Sequence, residues 1–192
     1  VILQRPIEGN SAAEGSGERS SEKFETIRAA LSQEILSGLA QVERDGDSII
    51  IRLGQQDSFR SGSADLQDSF ASTLSSVGDV LGETGGMIRV EGHTDDVPMV
   101  KKLKYSNNWE LSVARATNVG VFMIEKNGYD PDLISITGHA DTRPRVSYTS
   151  ETGQRKLGKV LKEVRKANRR VDLIFARPAA SEQIRRFFPE QE

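Results

Sequence analysis

The sequence predicts an α+β domain with a mixed β-sheet of about four strands and helices mainly on one face. Segments with the 3.6-residue period of amphipathic helices alternate along the chain with segments of period two, which are typical of strands. A GHxDxxP pattern also follows two of these strands. The predicted order is helix, strand, helix, strand, helix, strand, short helix, strand, as in a two-layer domain.

The composition limits the chain to one domain of ordinary size with tails. Of the 192 residues, 36% are apolar, which suffices for one modest core. The net charge of −2 does not indicate nucleic acid as a partner, and the lack of cysteine excludes disulfides and thiolate ligands. No stretch approaches the roughly 20 apolar residues of a membrane-spanning helix. The start at Val1, without a signal peptide, predicts a soluble fragment of a longer protein.

The N-terminal part is predicted to be a linker followed by an amphipathic helix. Residues 1–21 are expected to be a flexible linker, because residues 8–21 are rich in Gly and Ser and lack apolar periodicity. Residues 22–46 are assigned to a helix over 22–40 and its connection. Its apolar stripe consists of Phe24, Ile27, Leu31, Ile35 and Leu39. We expect this stripe to pack on the domain's own sheet; a dimer contact or a segment that rearranges is the alternative.

Residues 47–177 are predicted to form the main domain, and residues 178–192 a tail. Alternating apolar residues predict a strand over 47–53, and helical spacing predicts a helix over 64–81. Ile88 and Val90 mark a central strand that stops at Gly92. Asn107 and Glu110 form a capping box, so a third helix is expected over 108–126.

The GHxDxxP pattern occurs at residues 92–98 and again at residues 138–144. Each copy ends a strand, and one helix lies between them, which predicts a right-handed βαβ unit with parallel, neighbouring strands. Two histidines and two aspartates should therefore meet at one sheet edge: His93, Asp95, His139 and Asp141. These side chains could bind zinc, but repeated strand-ending geometry is the simpler explanation. We therefore predict no metal site and, without a nucleophile motif, no catalytic residue.

Asp95 follows the central strand, and Asn108, Leu111 and Arg115 share one stripe of the third helix. If the loop folds back, the Asp95 carboxylate can approach the Arg115 guanidinium. The pair has two interpretations, a structural salt bridge or a clamp in which Arg115 binds a ligand carboxylate and Asp95 its ammonium. Composition and spacing do not decide between them.

The runs GHTDDVP, NNWELSVARA and ANRRVDLIF occur in one order along the chain. They resemble the peptidoglycan-binding domain shared by OmpA, the Pal lipoproteins and the stator B subunits MotB and PomB of flagellar motors. NWELSVARA is most similar to the stator branch. The resemblance covers roughly residues 47–177 and implies an OmpA-like fold. It also implies that Asp95 and Arg115 hold diaminopimelate of the cell-wall stem peptide, in a groove lined by Thr94, Asn108 and Leu111.

The same resemblance implies a noncatalytic cell-wall anchor for a flagellar stator, without a cofactor. The implied protein is a homodimer in the periplasm that joins the stator A subunit through a single membrane helix absent from this sequence. Two alternatives stay open: a general envelope anchor of the OmpA or Pal type, and an envelope enzyme that acts on cell-wall peptide.

Residues 142–168 are basic and contain a short amphipathic helix built on Leu157, Val160, Leu161 and Val164. A solvated surface helix is the simpler interpretation, and attraction toward anionic cell-wall polymer is the alternative. A last strand is expected at Val171–Phe175. The tail contains Phe187 and Phe188, and we expect it to be disordered rather than a docking segment.

Overall fold

The computed structural model describes residues 11–46, 48–53, 58–60, 62–99 and 104–176. The strands are β1 (Ala40–Asp45), β2 (Ser48–Leu53), β3 (Met87–His93), β4 (Ile134–Gly138) and β5 (Arg170–Ala176). The α-helices are α1 (Ser11–Ala30), α2 (Ser32–Leu36), α3 (Asp68–Thr84), α4 (Asn108–Asn127) and α5 (Gly158–Asn168), and a 3-10 turn at Pro131–Leu133 precedes β4. No helix in these ranges is both long enough and apolar enough to span a bilayer.

The five strands form one mixed sheet in the order β1-β2-β5-β3-β4. β3 and β4 pair in parallel, with Gly92 opposite Gly138, so the predicted βαβ unit is confirmed. β5 lies antiparallel between β2 and β3. The predicted α+β class is also confirmed, although the sheet has five strands rather than about four.

The additional strand, β1, corrects the prediction of one helix over residues 22–40. The helical segment is interrupted at Leu31 and ends at Leu36, and Ala40–Asp45 pairs antiparallel with β2. The sequence signal for β1 was weak, because Ala40 is its only fully buried residue and its other side chains are polar or half-buried. Backbone pairing with β2 decides its structure.

Residues 11–21, predicted to be flexible linker, belong to α1, which begins at Ser11. Extending a helix costs little once a buried segment has nucleated it, and the end of α1 carries the fully buried Ile27. Ile27 and Leu31 are fully buried in the main core, and Phe24 and Ile35 pack against it, so four of the five stripe residues pack on their own domain as predicted. The fifth, Leu39, is 41% exposed. Residues 1–10 and the tail at 178–192 lie outside the described residues.

Helix α4 has the ends that its sequence predicts. The Asn107 side chain accepts a hydrogen bond from the Glu110 amide at 2.9 Å, and the Glu110 carboxylate accepts one from the Ser106 amide at 2.8 Å. The helix stops at Gly128, whose φ of 65° is left-handed. The bounds of α4 therefore agree with the prediction to within one residue.

Two glycines allow α4 to lie directly on the ends of β3 and β4. A Cβ at Gly92 would lie 2.0 Å from the backbone oxygen of Ser112. At Gly138 it would lie 2.5 Å from a methyl group of Val113 and 2.6 Å from the Ser112 hydroxyl. This close approach explains why each GHxDxxP copy begins with glycine, and it brings the start of α4 next to both loops.

Candidate functional site

The loop after β3 is held against the first turn of α4. The Asn108 side-chain amide donates to the backbone oxygens of Asp95 at 3.2 Å and Val97 at 3.0 Å. The Thr94 amide donates to the Ala140 carbonyl at 2.8 Å, which ties this loop to the one after β4. Three of the predicted site residues, Thr94, Asp95 and Asn108, are thus brought together by direct contacts.

Asp95 is buried, with 8% of its surface exposed, and both of its carboxylate oxygens accept hydrogen bonds. Oδ1 accepts from the Val97 amide at 3.1 Å, which closes a local turn. Oδ2 accepts from Nη1 of Arg169 at 2.6 Å, a charge-assisted bond. Sequence reasoning missed Arg169 as a partner; its only signal was the Arg-Arg pair that precedes the last strand.

Asp96 is bound by the basic segment predicted at residues 142–168. Its carboxylate accepts from Nε of Arg165 at 2.7 Å and also from Nη2 of Arg155. Partial burial raises the pKa of Asp96, but the hydrogen bonds from Arg165 and Arg155 outweigh burial and hold that pKa below its ordinary value. Part of the basic segment therefore positions the loop after β3 and is not only a solvated surface.

Helix α5 begins at Gly158, so Leu157, the first residue of the predicted apolar stripe, lies just outside the helix. Of the four predicted stripe residues, only Val164 is buried, whereas Leu157 and Val160 are 72% and 57% exposed. The helix end is held by Asn168, whose side-chain amide exchanges two hydrogen bonds of 2.9 Å with the backbone of Val146. This contact fixes the basic segment beside the sheet.

Arg115 is buried at 4% exposure and points toward the loop before α3. Its Nε donates to the Ser63 carbonyl at 2.9 Å, its Nη2 donates to the Arg60 carbonyl at 3.4 Å, and its guanidinium lies 4.9 Å from the Phe59 ring centroid. No carboxylate of the described residues lies within 4 Å of this guanidinium. Burial and the charge of Arg169 lower the pKa of Arg115 to about 10, although the charge of Asp95 acts in the opposite direction.

Asp95 and Arg115 therefore do not form the direct salt bridge that was one interpretation of the pair. Asp95 is instead paired with Arg169, and Arg115 is held by backbone carbonyls and an aromatic ring. Their charges still act on each other across a gap longer than an ion pair. Thr94 and Leu111 are buried beside them at 3% and 4% exposure, and the Thr94 hydroxyl has no hydrogen-bond partner among the described residues.

The two histidines lie together, as predicted, with ring centroids 5.1 Å apart. Nε2 of His139 lies 3.2 Å from the Glu91 carboxylate, and Nε2 of His93 lies 3.7 Å from Asp172. Arginines occupy both carboxylates, since Arg89 binds Glu91 at 2.6 Å and Arg170 binds Asp172 at 2.9 Å. Within the described ranges, no group of three or more His, Asp or Glu side chains could hold a metal ion. The histidines and both carboxylates are buried on the sheet face opposite α4, where the Arg170 side chain is largely buried with them and Arg89 is exposed.

The model of the OmpA family matches residues 58–158, more than half of the chain. The chain belongs to the OmpA family. It is 32% identical over 95 residues to Motility protein B of Bacillus subtilis, covering 50% of this chain and 32% of that protein. It is 30% identical over 102 residues to YtxE of Bacillus subtilis, an uncharacterized protein, covering 53% of this chain and 42% of YtxE. The matched part of this OmpA-family chain thus spans less than half the length of either relative.

Solved structures share the fold over most of the chain. A MotB-like protein from Desulfovibrio vulgaris has a TM-score of 0.73 at 23% identity, covering 85% of this chain and 98% of its own. The cell wall anchor of the type VI secretion system of Pseudomonas aeruginosa has a TM-score of 0.65 at 30% identity, covering 79% of this chain and 97% of its own. The periplasmic domain of Helicobacter pylori MotB has a TM-score of 0.60 at 21% identity, covering 79% and 91%.

Proposed function

We propose that this OmpA-family domain binds peptidoglycan without catalysis and anchors a flagellar stator to the cell wall. Asp95 and Arg115 hold the ammonium and carboxylate of diaminopimelate in the stem peptide, and Thr94, Asn108 and Leu111 line the same site. The domain works in the periplasm as part of a homodimer that is joined to the inner membrane and the stator A subunit by a single membrane helix.

The observation that carries this proposal is the buried guanidinium of Arg115. Among the described residues, only neutral groups bind this guanidinium, and a buried cation in such surroundings is costly because carbonyls do not neutralise its charge. A ligand carboxylate would supply the missing negative charge and a charge-assisted hydrogen bond. Asp95 lies nearby with a negative charge that can accept an ammonium, so the two groups match the two ends of an amino-acid zwitterion.

Two named relatives support different versions of the anchor. Motility protein B, at 32% identity over half of this chain, supports the stator. The secretion-system cell wall anchor, at 30% identity, supports the second candidate, a general envelope anchor that uses the same site. The two candidates differ in what the domain is attached to. To distinguish them, this domain is fused to the membrane helix of a stator B subunit and expressed in cells that lack that subunit. Restored motility would support the stator role, whereas peptidoglycan binding without motility would favour the general anchor.

The binding site is tested by sedimentation with purified, insoluble peptidoglycan. Asp95→Asn keeps the size of the side chain and an acceptor for the Val97 amide, but it removes the negative charge. We expect this variant to lose sedimentation with peptidoglycan and to keep its circular dichroism spectrum. Asp141→Asn is the matched control, because Asp141 occupies the same place in the second GHxDxxP copy, and it should sediment as the unmodified chain does.

Arg115 requires a second variant, because its side chain also binds the loop before α3. Arg115→Ala would remove two hydrogen bonds to that loop as well as the charge, so lost binding alone would be ambiguous. Arg115→Lys keeps the charge without the planar fork, and we expect a folded protein with weakened binding. If both Asp95→Asn and Arg115→Lys remain folded and sediment normally, the proposed site is wrong. Release of muropeptide products during incubation would contradict a noncatalytic role.

A further inference from the structure

β4 forms one edge of the sheet and is open to pairing with another strand. No strand of the described residues pairs with its outer side. The His139 amide donates to the Gly92 carbonyl of β3 at 2.9 Å. Because neighbouring residues of a strand direct their backbone groups to opposite sides, the N–H and C=O groups of Ile134, Ile136 and Gly138 point away from β3. β4 therefore presents a row of outward-facing backbone donors and acceptors.

The two edge strands of the sheet differ in charge. β4 reads ISITG and has neither a charged residue nor a proline, whereas β1 at the other edge carries Glu43, Arg44 and Asp45. Charged side chains on an edge strand are a common protection against pairing with another chain. The sequence of β4 lacks this protection, so β4 is the edge that favours pairing.

Exposed apolar side chains extend this edge onto α4. Val113, Val121 and Ile136 are exposed although they are apolar. Ile136 lies against α4, because its Cδ1 is 3.1 Å from the position of a Cβ at Gly120, and Val113 lies over Gly138 in the same way. A chain that pairs with β4 can cover these side chains and so remove apolar surface from water.

A second copy of this chain fits this edge. In an antiparallel pair of β4 strands with a twofold axis at Ile136, that residue lies opposite Ile136 of the second copy. Ser135 then lies opposite Thr137, and Ile134 lies opposite Gly138. No charge faces a like charge across the two strands, and their outward-facing groups form about six hydrogen bonds. The two five-stranded sheets then become one continuous sheet.

Twofold pairing also keeps the helices of both copies on one face of the joined sheet. Ile27 of α1 and Val119 of α4 pack in one core with Val90 of β3, so α1 and α4 cover the same sheet face. The axis that relates two antiparallel strands of one sheet is perpendicular to that sheet, so both α1 helices lie on the same side. Two chains that extend from one membrane fit this arrangement. The carboxyl ends of the two β3 strands point in opposite directions, which places the two candidate sites at opposite ends of the dimer.

We propose that β4 and the adjoining apolar side of α4 form the surface through which two copies of this chain dimerise. This inference rests on the proposed function, in which the domain works as part of a homodimer, and it assigns the surface of that dimer. Peptidoglycan binding by each copy uses other residues, so the binding site and the dimer surface can be tested separately.

The first test is disulfide trapping, which is possible because the chain has no cysteine of its own. In the twofold register, the Cα atoms at position 136 of the two copies lie about 5.5 Å apart, a distance that a disulfide can bridge. Under mild oxidation, Ile136→Cys should form a covalent dimer at least about tenfold faster than Leu36→Cys, because dimerisation raises the effective concentration of its thiol. Leu36 is the matched control, since it is an exposed apolar residue on α2, beside the other edge strand.

The second test places charges at the twofold axis and measures dimerisation by analytical ultracentrifugation. Ile136→Lys and Ile136→Glu each bring two like charges together, so each variant alone should dimerise at least about tenfold more weakly than the unmodified chain. An equimolar mixture of the two variants should recover the dimer, because lysine then faces glutamate. Leu36→Lys should dimerise as the unmodified chain does. Circular dichroism checks each fold, and Ile136→Cys decides if the charged variants do not fold.

Three outcomes would overturn the inference. An unmodified chain that stays monomeric at every concentration would show that β4 is covered by another segment of this chain or by a different protein. Dimerisation of Ile136→Lys as strong as that of the unmodified chain would assign the dimer to another surface. Equal trapping rates for Ile136→Cys and Leu36→Cys would show that random collision forms the disulfide. By contrast, a chain that dimerises through β4 but does not sediment with peptidoglycan would refute the proposed binding site and leave the dimer surface standing.

Discussion

Replacing Gly92 by alanine tests whether the close approach of α4 to the sheet holds the site together. The new Cβ would lie 2.0 Å from the backbone oxygen of Ser112 and 2.9 Å from its carbonyl carbon. Ordinary contacts of a Cβ begin near 3.4 Å, so the helix must withdraw from β3 by roughly 1.4 Å, the difference between these distances. No rotamer change can relieve the clash, because the obstacle is backbone.

Inserting a methyl group into a well-packed core costs about 1–3 kcal/mol. Since the helix itself must move, we expect a loss near the upper end, about 3 kcal/mol of the free energy of unfolding. The same movement displaces Asn108 and Arg115, which α4 carries, so peptidoglycan sedimentation should also weaken. Urea denaturation followed by circular dichroism measures the loss of stability.

Gly82→Ala in α3 is the matched control, because a Cβ at Gly82 would have no atom within 4 Å. It should stabilise the chain by about 0.5–1 kcal/mol, since alanine has the higher helix propensity. A change of less than about 0.5 kcal/mol in the free energy of unfolding of Gly92→Ala would equal that of an ordinary surface substitution and would refute the packing argument.

Gly138→Ala should destabilise the chain by about 2 kcal/mol in the same urea titration. The loss is smaller than at Gly92 because the two nearest obstacles are side-chain atoms that can shift, and the nearest backbone atom, the nitrogen of Val113, lies 2.7 Å away rather than 2.0 Å. Burial, reinforced by neighbouring cations, lowers the pKa of His93 from 6.5 to about 3, so the unfolded state binds the proton more strongly and stability falls as pH drops from about 6.5 toward 3. The expected loss of stability at pH 5 is about 2 kcal/mol, partly offset by Asp172, whose raised pKa changes stability in the opposite direction. The melting temperature of His93→Gln should therefore depend less on pH in this window. A pH dependence equal to that of the unmodified chain would contradict the assignment to His93. Asn168→Ala leaves the backbone amide and carbonyl of Val146 without their partner and should cost about 3 kcal/mol by urea denaturation; a change below 1 kcal/mol would show that water replaces both bonds.

Local patterns in the sequence determined most of the central unit. The capping box of Asn107 and Glu110 placed the start of α4, and the repeated GHxDxxP pattern placed β3 and β4 side by side. These predictions succeed because capping and strand alternation depend on residues only a few positions apart. The first helix and β1 were less predictable, since pairing with β2 and packing on the core outweighed their weak local signals.

The sequence alone also identified Asp95 and Arg115 as candidate site residues, and the sedimentation experiments described above would test their proposed roles. Only the tertiary structure showed that they are not joined to each other, and that Asp95 is bound by Arg169, 74 positions away along the chain. An ion pair forms between groups that the fold brings within a few ångströms, and sequence separation carries no information about that distance. The folded chain therefore decides which charges are neutralised. It buries the guanidinium of Arg115, and no carboxylate of the residues that the structure describes lies within ion-pair distance of it.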